Sequence, residues 1–315
     1  MIKIKTYQSK MDNLWNDFVK NAKNGIFMFD RHFMDYHADR FQDNSLMFYE
    51  ENELIALLPL SRHGQELRSH GGLTYGGFIT GERMKQHKML ACFEALKSYM
   101  QKNNFTKLVY KTIPPIYHKQ PAEEDTYALY KNNAQLLKIE PSTCVALKNP
   151  FKMQVLRQRQ IKKAISQGIQ IEPSTDFETF IRLENEVLQD RHHTRAVHTA
   201  QELRQLKSNF ENEIQLWTAL YQGEMIAATL LFVYDKVVHT QYLAANDVAR
   251  KIGGLDLLIK TMMDKFAPHK TYFDFGISTE DNGQVLNEGL IHQKEGFGGR
   301  TVCYQTWEMN VCTLQ

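Results

Sequence analysis

Cysteine is scarce in this chain, with four in 315 residues. Cys92, Cys144, Cys303 and Cys312 form no C-x-x-C pair and keep no metal-like spacing with histidine. That excludes a disulfide framework and a zinc knuckle, and fits a reducing compartment. Long apolar runs are missing as well. The longest, Met225 to Val233, falls far short of the ~20 residues of a spanning helix, and the opening MIKIKTYQSK has no apolar signal core. Nor does one sign of charge dominate: 38 basic residues against 36 acidic ones leave no global field to draw the chain onto nucleic acid or anionic lipid. There is no low-complexity segment. These absences lead us to expect a soluble cytoplasmic protein without membrane insertion.

What is present is ordinary globular material, 43% hydrophobic and 23% charged, of a length that favours two domains. It also repeats. Ser45 to Leu60 reads SLMFYEENELIALLPL and Leu216 to Leu231 reads LWTALYQGEMIAATLL. Each is an apolar strand, a polar turn, then Glu-apolar-Ile-Ala opening a second strand. Glu51-Asn52 makes the turn in one copy and Gly223 serves it in the other.

Downstream, the first copy predicts a strand near Leu73–Ile79, a helix over 84–101 and a strand over 107–111. The second predicts a strand over 237–245, a helix over 253–266 and a strand over 271–275. Each copy then closes with a helical stretch and a strand, 126–137 with 138–147, and 285–294 with 301–309. Both middle helices carry apolar residues at three-to-four spacing, one buried face each. Hairpins, crossover helices and further strands imply an α/β fold with mixed, mostly antiparallel sheets flanked by helices. Pro141 and Pro150 place the boundary near Ser142–Lys152, giving domains 1–148 and 149–315.

The segment Ala244 to Met263, AANDVARKIGGLDLLIKTMM, ends a strand, carries Arg250 in a polar loop and opens a helix at Gly253-Gly254. Exposed N–H groups and the dipole at a helix start suit a phosphate, and glycine permits close approach; Gly-Gly before a helix also serves as a plain turn. Taken with FDFGISTED (Phe273 to Asp281) and HQKEGFGGR (His292 to Arg300), this order resembles the FemAB-like branch of the GNAT acyltransferase superfamily, built from two tandem GNAT-like domains. SHGGLTYGGFI (Ser69 to Ile79) and QIKKAISQGIQI (Gln160 to Ile171) resemble it too. Arg250-x-x-Gly253 fits the superfamily's R/Q-x-x-G-x-G/A loop, with Leu255 at its last position.

The resemblance implies an acyl-CoA donor lying over Arg250, Gly253 and Gly254, its thioester arm paired with the strand at Leu243, Ala244 and Ala245. It also places Lys294 at the lysine of a K-x-x-F-G signature, as a cation for the oxyanion; the alternative is a helix-end lysine bonding terminal carbonyls. The first copy lacks the Gly pair, so the second is expected to hold the active site and the first to shape the acceptor cleft. Asp274 sits in an apolar strand, in opposite phase to Phe273 and Phe275. It is either a base for an incoming amine or a tie to Ser278-Thr279.

Glu280, beside Asp281 in a polar loop, is placed to meet a cationic amine or is simply solvated. RHHTRAVH (Arg191 to His198) lacks metal-ligand spacing, so no metal is expected. Arg191 and His192 are read there as acceptor-cleft residues, against a solvated loop. In the first domain His70 and Tyr75, among Gly71, Gly72, Gly76 and Gly77, are candidate substrate contacts or mere bends. Lys152, Arg157, Arg159, Lys162 and Lys163 form a basic run without acids, a solvated face or a site for CoA phosphates or tRNA.

The expected function is an N-acyltransferase moving an acyl group, acetyl above all, from acyl-CoA to an amine on a small molecule or peptide, by direct attack. No nucleophile motif such as G-x-S-x-G is present. Two alternatives stand beside it: a FemAB-type aminoacyl-tRNA-dependent transferase acting on a cell-wall peptide precursor, and a non-catalytic binding protein with a degenerate donor loop.

Overall fold

The computed structural model describes residues 1–192 and 195–311, with the backbone alone for 190–192. His193 and Cys312 lie outside the described residues, as do the side chains of Arg191 and His192. By its internal contacts the chain divides into two units, Met1–Glu140 with the stretch from Cys303 onward, and Pro141–Val302.

The repeated hairpin is present in both, down to an irregularity that the letters do not spell out. Leu46–Glu50 pairs antiparallel with Glu53–Leu58 in the first unit, and Ile214–Tyr221 with Glu224–Val233 in the second. The turns Glu51-Asn52 and Gln222-Gly223 hold positive φ at both central residues (50° and 69°, 53° and 84°), the two-residue form whose twist matches the strands. Register then slips at equivalent places, between Phe48 and Tyr49 and between Ala219 and Leu220. The extra residue is Ile55 in one copy and Ile226 in the other. Both are buried in the core of their unit, so the shared Glu-x-Ile-Ala signature marks a bulge that seats an isoleucine.

In the first unit a four-stranded sheet runs in the order Ile2–Thr6, Leu46–Glu50, Glu53–Leu58, Ile79–Thr80. Helix Gln86–Lys102 buries Met89, Cys92, Phe93, Leu96 and Met100, the stripe its spacing predicts. Strand Lys107–Lys111 pairs with Glu66–Arg68 and with 306–310. Two expectations are corrected here. The strand expected at Leu73–Ile79 shrinks to Ile79–Thr80. The preceding glycines press a loop against its neighbours: a Cβ on Gly76 would sit 2.5 Å from the Ser69 carbonyl oxygen, and Gly77 has φ +83°. The helix expected to Leu137 is Glu124–Lys131. Asn133, at φ 55°, turns the chain in the left-handed form typical after a helix C-terminus, and a strand, Gln135–Ala146, begins at once.

The second unit is labelled in chain order: β1 (Gln135–Ala146, from Pro141), α1 (Val155–Ser166), β2 (Gln170–Ser174), α2 (Phe177–His192), α3 (Ala200–Asn209), β3 (Ile214–Tyr221), β4 (Glu224–Val233), β5 (Val237–Ala245), α4 (Asp247–Ile252), α5 (Gly254–Phe266), β6 (Tyr272–Ile277), α6 (Glu288–Glu295) and the start of β7 (Arg300–Asn310). Its strands lie in the order β2-β3-β4-β5-β6-β1, antiparallel except for the parallel pair β5–β6. Ala164 of α1 and Leu258, Ile259 and Met262 of α5 close the core over one face with Ala227, Leu231, Val238 and Phe273. The other face carries α2, over β4 and β5, and α3, over β3. The closing helix is shorter than 285–294, because Asn287 caps it by accepting from the Leu290 N–H at 2.9 Å.

Candidate active site

The parallel pair β5–β6 spans only three positions, Val237↔Tyr272, Val238↔Phe273 and His239↔Asp274. Both strands are distorted just beyond. In β5 the register against β4 slips at Gln241, and in β6 the pairing with β1 slips between Asp274 and Ile277, where Gly276 takes φ +74°. The two strands therefore part after His239 and Asp274, and β5 runs on through Thr240–Ala245 with its β6-facing edge unpaired by β6.

A polar cluster fills the apex of this fork. Asp274 is fully buried. One oxygen accepts from Ser142 Oγ at 2.5 Å and from the Gly276 N–H at 3.3 Å, and the other lies 3.1 Å from His239 Nδ1. A carboxylate can only accept, so this contact places the proton on Nδ1 of the imidazole. Lys294, at the end of α6, donates to the carbonyls of Gly276 (3.0 Å) and Ile277 (2.6 Å). Burial pulls its ammonium down to about 8, against the opposing attraction of Asp274.

The two motifs that carry the family resemblance are thus one structural unit. Phe275 packs on Phe297 at 5.6 Å between ring centroids, and Lys294 ties FDFG to K-x-x-F-G. Asp274 is held by Ser142 and His239, and the buried Ser278 hydroxyl takes no part in holding it. Those two partners were invisible to sequence reading, because Ser142 is distant in the chain and His239 is a single letter in an apolar strand.

The donor loop shows what its glycines are for. Gly253 ends α4 at φ +82°, and a Cβ there would lie 2.2 Å from the Gln160 carbonyl oxygen of α1; one on Gly254 would meet Ile226 at 2.9 Å. Close helix packing is thus one demand on the pair. Beside them Arg157 donates to Asp256 at 2.7 Å and Lys163 to the Lys251 carbonyl at 2.8 Å, which accounts for two cations of the basic run. Lys152, Arg159 and Lys162 stay exposed. Leu255 is buried in the core, so the family's small residue is replaced by a packing one. Arg250 bonds Asp247 at the surface. Leu243 is half-buried, and Ala244 and Ala245 are buried.

On the α2 face, Tyr242 meets Phe180 edge-on at 6.0 Å, and its hydroxyl lies 2.7 Å from His198 Nδ1. Glu184, one turn beyond Phe180, is also buried, an acid that sequence reading passed over. Glu280 is exposed and accepts from Asn287 at 2.6 Å. His70 and Tyr75 belong to the first unit. Burial there depresses the His70 imidazole to about 3, and Tyr75 packs between Tyr117 and Tyr304. Among the described residues no three metal-binding side chains cluster, and no helix is long and apolar enough to cross a membrane.

Residues 154–282 match the family model described as an acetyltransferase (GNAT) domain. No curated protein matches the chain. Among solved structures it is similar to FemX (TM-score 0.68, 10% identity, 98% of this chain and 97% of that one). It is similar as well to L-PGS from Bacillus licheniformis (0.64, 13%, 96% and 92%) and to a tandem GNAT protein from the clavulanic acid biosynthesis pathway (0.55, 10%, 100% and 100%). At such identities the likeness is one of fold. That fold is the tandem GNAT arrangement, similar to the FemAB-like branch, with the matched acetyltransferase domain in the second unit.

Proposed function

We propose that this tandem GNAT chain is an N-acyltransferase that moves an acyl group, acetyl in the simplest case, from coenzyme A to an amine at the β5–β6 fork. The observation that carries the reading is the fork itself. A strand edge left unpaired offers backbone N–H and C=O groups to an extended amide-bearing arm, and a buried charged cluster stands where the strands part. In this reading Leu243, Ala244 and Ala245 hold the thioester arm, and Arg250 with the loop to Gly253 and Gly254 meets the phosphates.

The amine nitrogen attacks the thioester carbonyl, a C–N bond forms and the C–S bond breaks. Lys294 stabilises the oxygen as it gains charge. Asp274, saturated by its donors, acts through His239, which takes a proton from the amine and returns it to the departing sulfur. Direct attack agrees with Cys144: burial and the neighbouring Asp274 push its thiol well above the usual range, so it stays protonated and unreactive.

Calorimetry with acetyl-CoA and with CoA tests the reading. Heat with both is expected, and heat with neither overturns it. The exposed cations Lys152, Arg159 and Lys162 favour one second reading, in which the donor is an aminoacyl-tRNA. It requires binding of charged tRNA that falls steeply with salt.

A further inference from the structure

Helix α2 buries Phe177, Phe180, Leu183 and Glu184, the stripe that faces the sheet at three-to-four spacing. Three of these are what such a face requires. Glu184 is not. It is 5% exposed, its Oε2 has no hydrogen-bond partner, and burial alone lifts its carboxyl to about 7. Among the described residues no cationic side chain pairs with it, although unpaired buried carboxyls are costly enough to be rare.

The strand beneath repeats the anomaly. α2 lies over β5, and at the bulge of β5 the side-chain oxygen of Gln241 is also buried without a partner. The surroundings are fixed rather than loose. Phe180 packs on Tyr242, Tyr242 bonds His198, and Asn185, next to Glu184, accepts from the Ala196 N–H at 2.9 Å. Val238 and Ala245 join the core on the α5 side, so His239, in alternate phase to Val238, shares the α2 face with Tyr242.

We infer that Glu184, assisted by the Gln241 carbonyl oxygen, is the seat for the ammonium group of the acceptor, on the α2 face of β5. The ionised Glu184 carboxylate and the Gln241 oxygen can only accept, and are complementary to a cation that donates several hydrogens, which is a primary amine in its protonated form. The inference rests on the acyl-transfer reading only in calling that amine the acceptor; for that step the seated ammonium first gives one proton to the Glu184 carboxylate, which frees the nitrogen lone pair, and His239 takes the second on attack. The cation site stands or falls by itself. The consequence is selectivity for acceptors whose amine arrives charged, with alcohols of the same shape rejected because they leave the carboxylate unpaired.

The probe is n-butylamine against n-butanol, titrated into the full chain and followed by shifts of the Gln241 side-chain amide signal in NMR. CoA is titrated separately into the same samples. Wild type is expected to bind butylamine and not butanol. Glu184→Gln should weaken butylamine about tenfold or more and leave CoA affinity unchanged. Glu184→Leu should abolish butylamine binding yet raise the thermal midpoint, because an unpaired buried carboxyl disappears. Equal butylamine affinity in wild type and Glu184→Gln, equal binding of butanol, or loss of folding in Glu184→Leu overturns the inference. Amine binding without CoA binding would sink the acyl-CoA reading and leave the cation site standing. CoA binding without amine binding would do the reverse.

Discussion

A carboxyl that folding makes harder to ionise should appear in stability long before any substrate is known. For Glu184 the ordinary value is 4.5 and burial raises it to about 7. Below 4.5 the group is protonated in folded and unfolded chains alike, and costs nothing. Between 4.5 and 7 the folded chain keeps the proton that the unfolded chain has lost, so stability falls as pH rises, and it levels off above 7. At about 1.4 kcal/mol per pH unit the loss amounts to ~3 kcal/mol. Glu184→Gln removes this titration and keeps the shape. Other titratable groups on elements packed against α2 are Glu224 of β4, Tyr242 and His239 of β5, His198 ahead of α3, and Glu202, Arg204 and Lys207 of α3. All are shared by both proteins and cancel in the difference. Thermal midpoints from pH 4 to 8.5 should therefore show Glu184→Gln gaining on wild type as pH rises, by ~6–12 °C at about 2–4 °C per kcal/mol. Parallel curves would refute the reasoning, since they would mean that Glu184 ionises freely and is not desolvated.

Lys294 has the opposite sign. Its folded value of about 8 lies below the ordinary 10.5, so wild type should gain stability relative to Lys294→Met as pH climbs from 8 to 10.5, and equal slopes in urea titrations would contradict that. The same variant should lower acyl transfer by ~10²–10³-fold in a free-thiol release assay if the ammonium faces the oxyanion. Ser142→Ala removes the shortest bond to a fully buried carboxylate and should cost ~1–3 kcal/mol in urea unfolding; a neutral result would show that Asp274 finds another donor. Gly253→Ala combines positive φ with a clash on the α1 backbone and should cost more than ~2 kcal/mol. An unperturbed midpoint there would show that α1 yields easily.

Much of the fold was legible because repetition amplifies weak signals. Glu53-Leu54-Ile55-Ala56 and Glu224-Met225-Ile226-Ala227 are short, yet two copies of one pattern fix hairpin, turn and following helix together. Where the reading slipped, a local conformation overrode periodicity. Asn133 stopped a helix whose apolar spacing continued into Leu136 and Leu137, and close approach at Gly76 and Gly77 turned an expected strand into a loop. Asn287 trimmed the last helix by capping. Such turns depend on φ at one residue, and hydrophobic spacing is blind to it.

The site was legible in a different way. Asp274 stood out as a charge in an apolar strand and Lys294 as the lysine of a K-x-x-F-G signature, and the structure brings both to one apex. Their partners Ser142 and His239 did not stand out, since a serine or histidine in a strand looks like any other half-buried polar residue. The glycines of the donor loop teach the converse. Gly253 looks like an invitation to phosphate, yet the α1 backbone 2.2 Å from its would-be Cβ already demands glycine there, whatever lies above the loop. A glycine therefore argues for a ligand only after packing has been satisfied. A buried carboxyl without a partner argues more strongly, because packing gives no reason to keep it: Glu184 occupies a core position where leucine would stabilise the fold. By that criterion the sharpest pointer to function in this chain is the acid hidden in an amphipathic stripe, where sequence patterns read only an imperfect helix face.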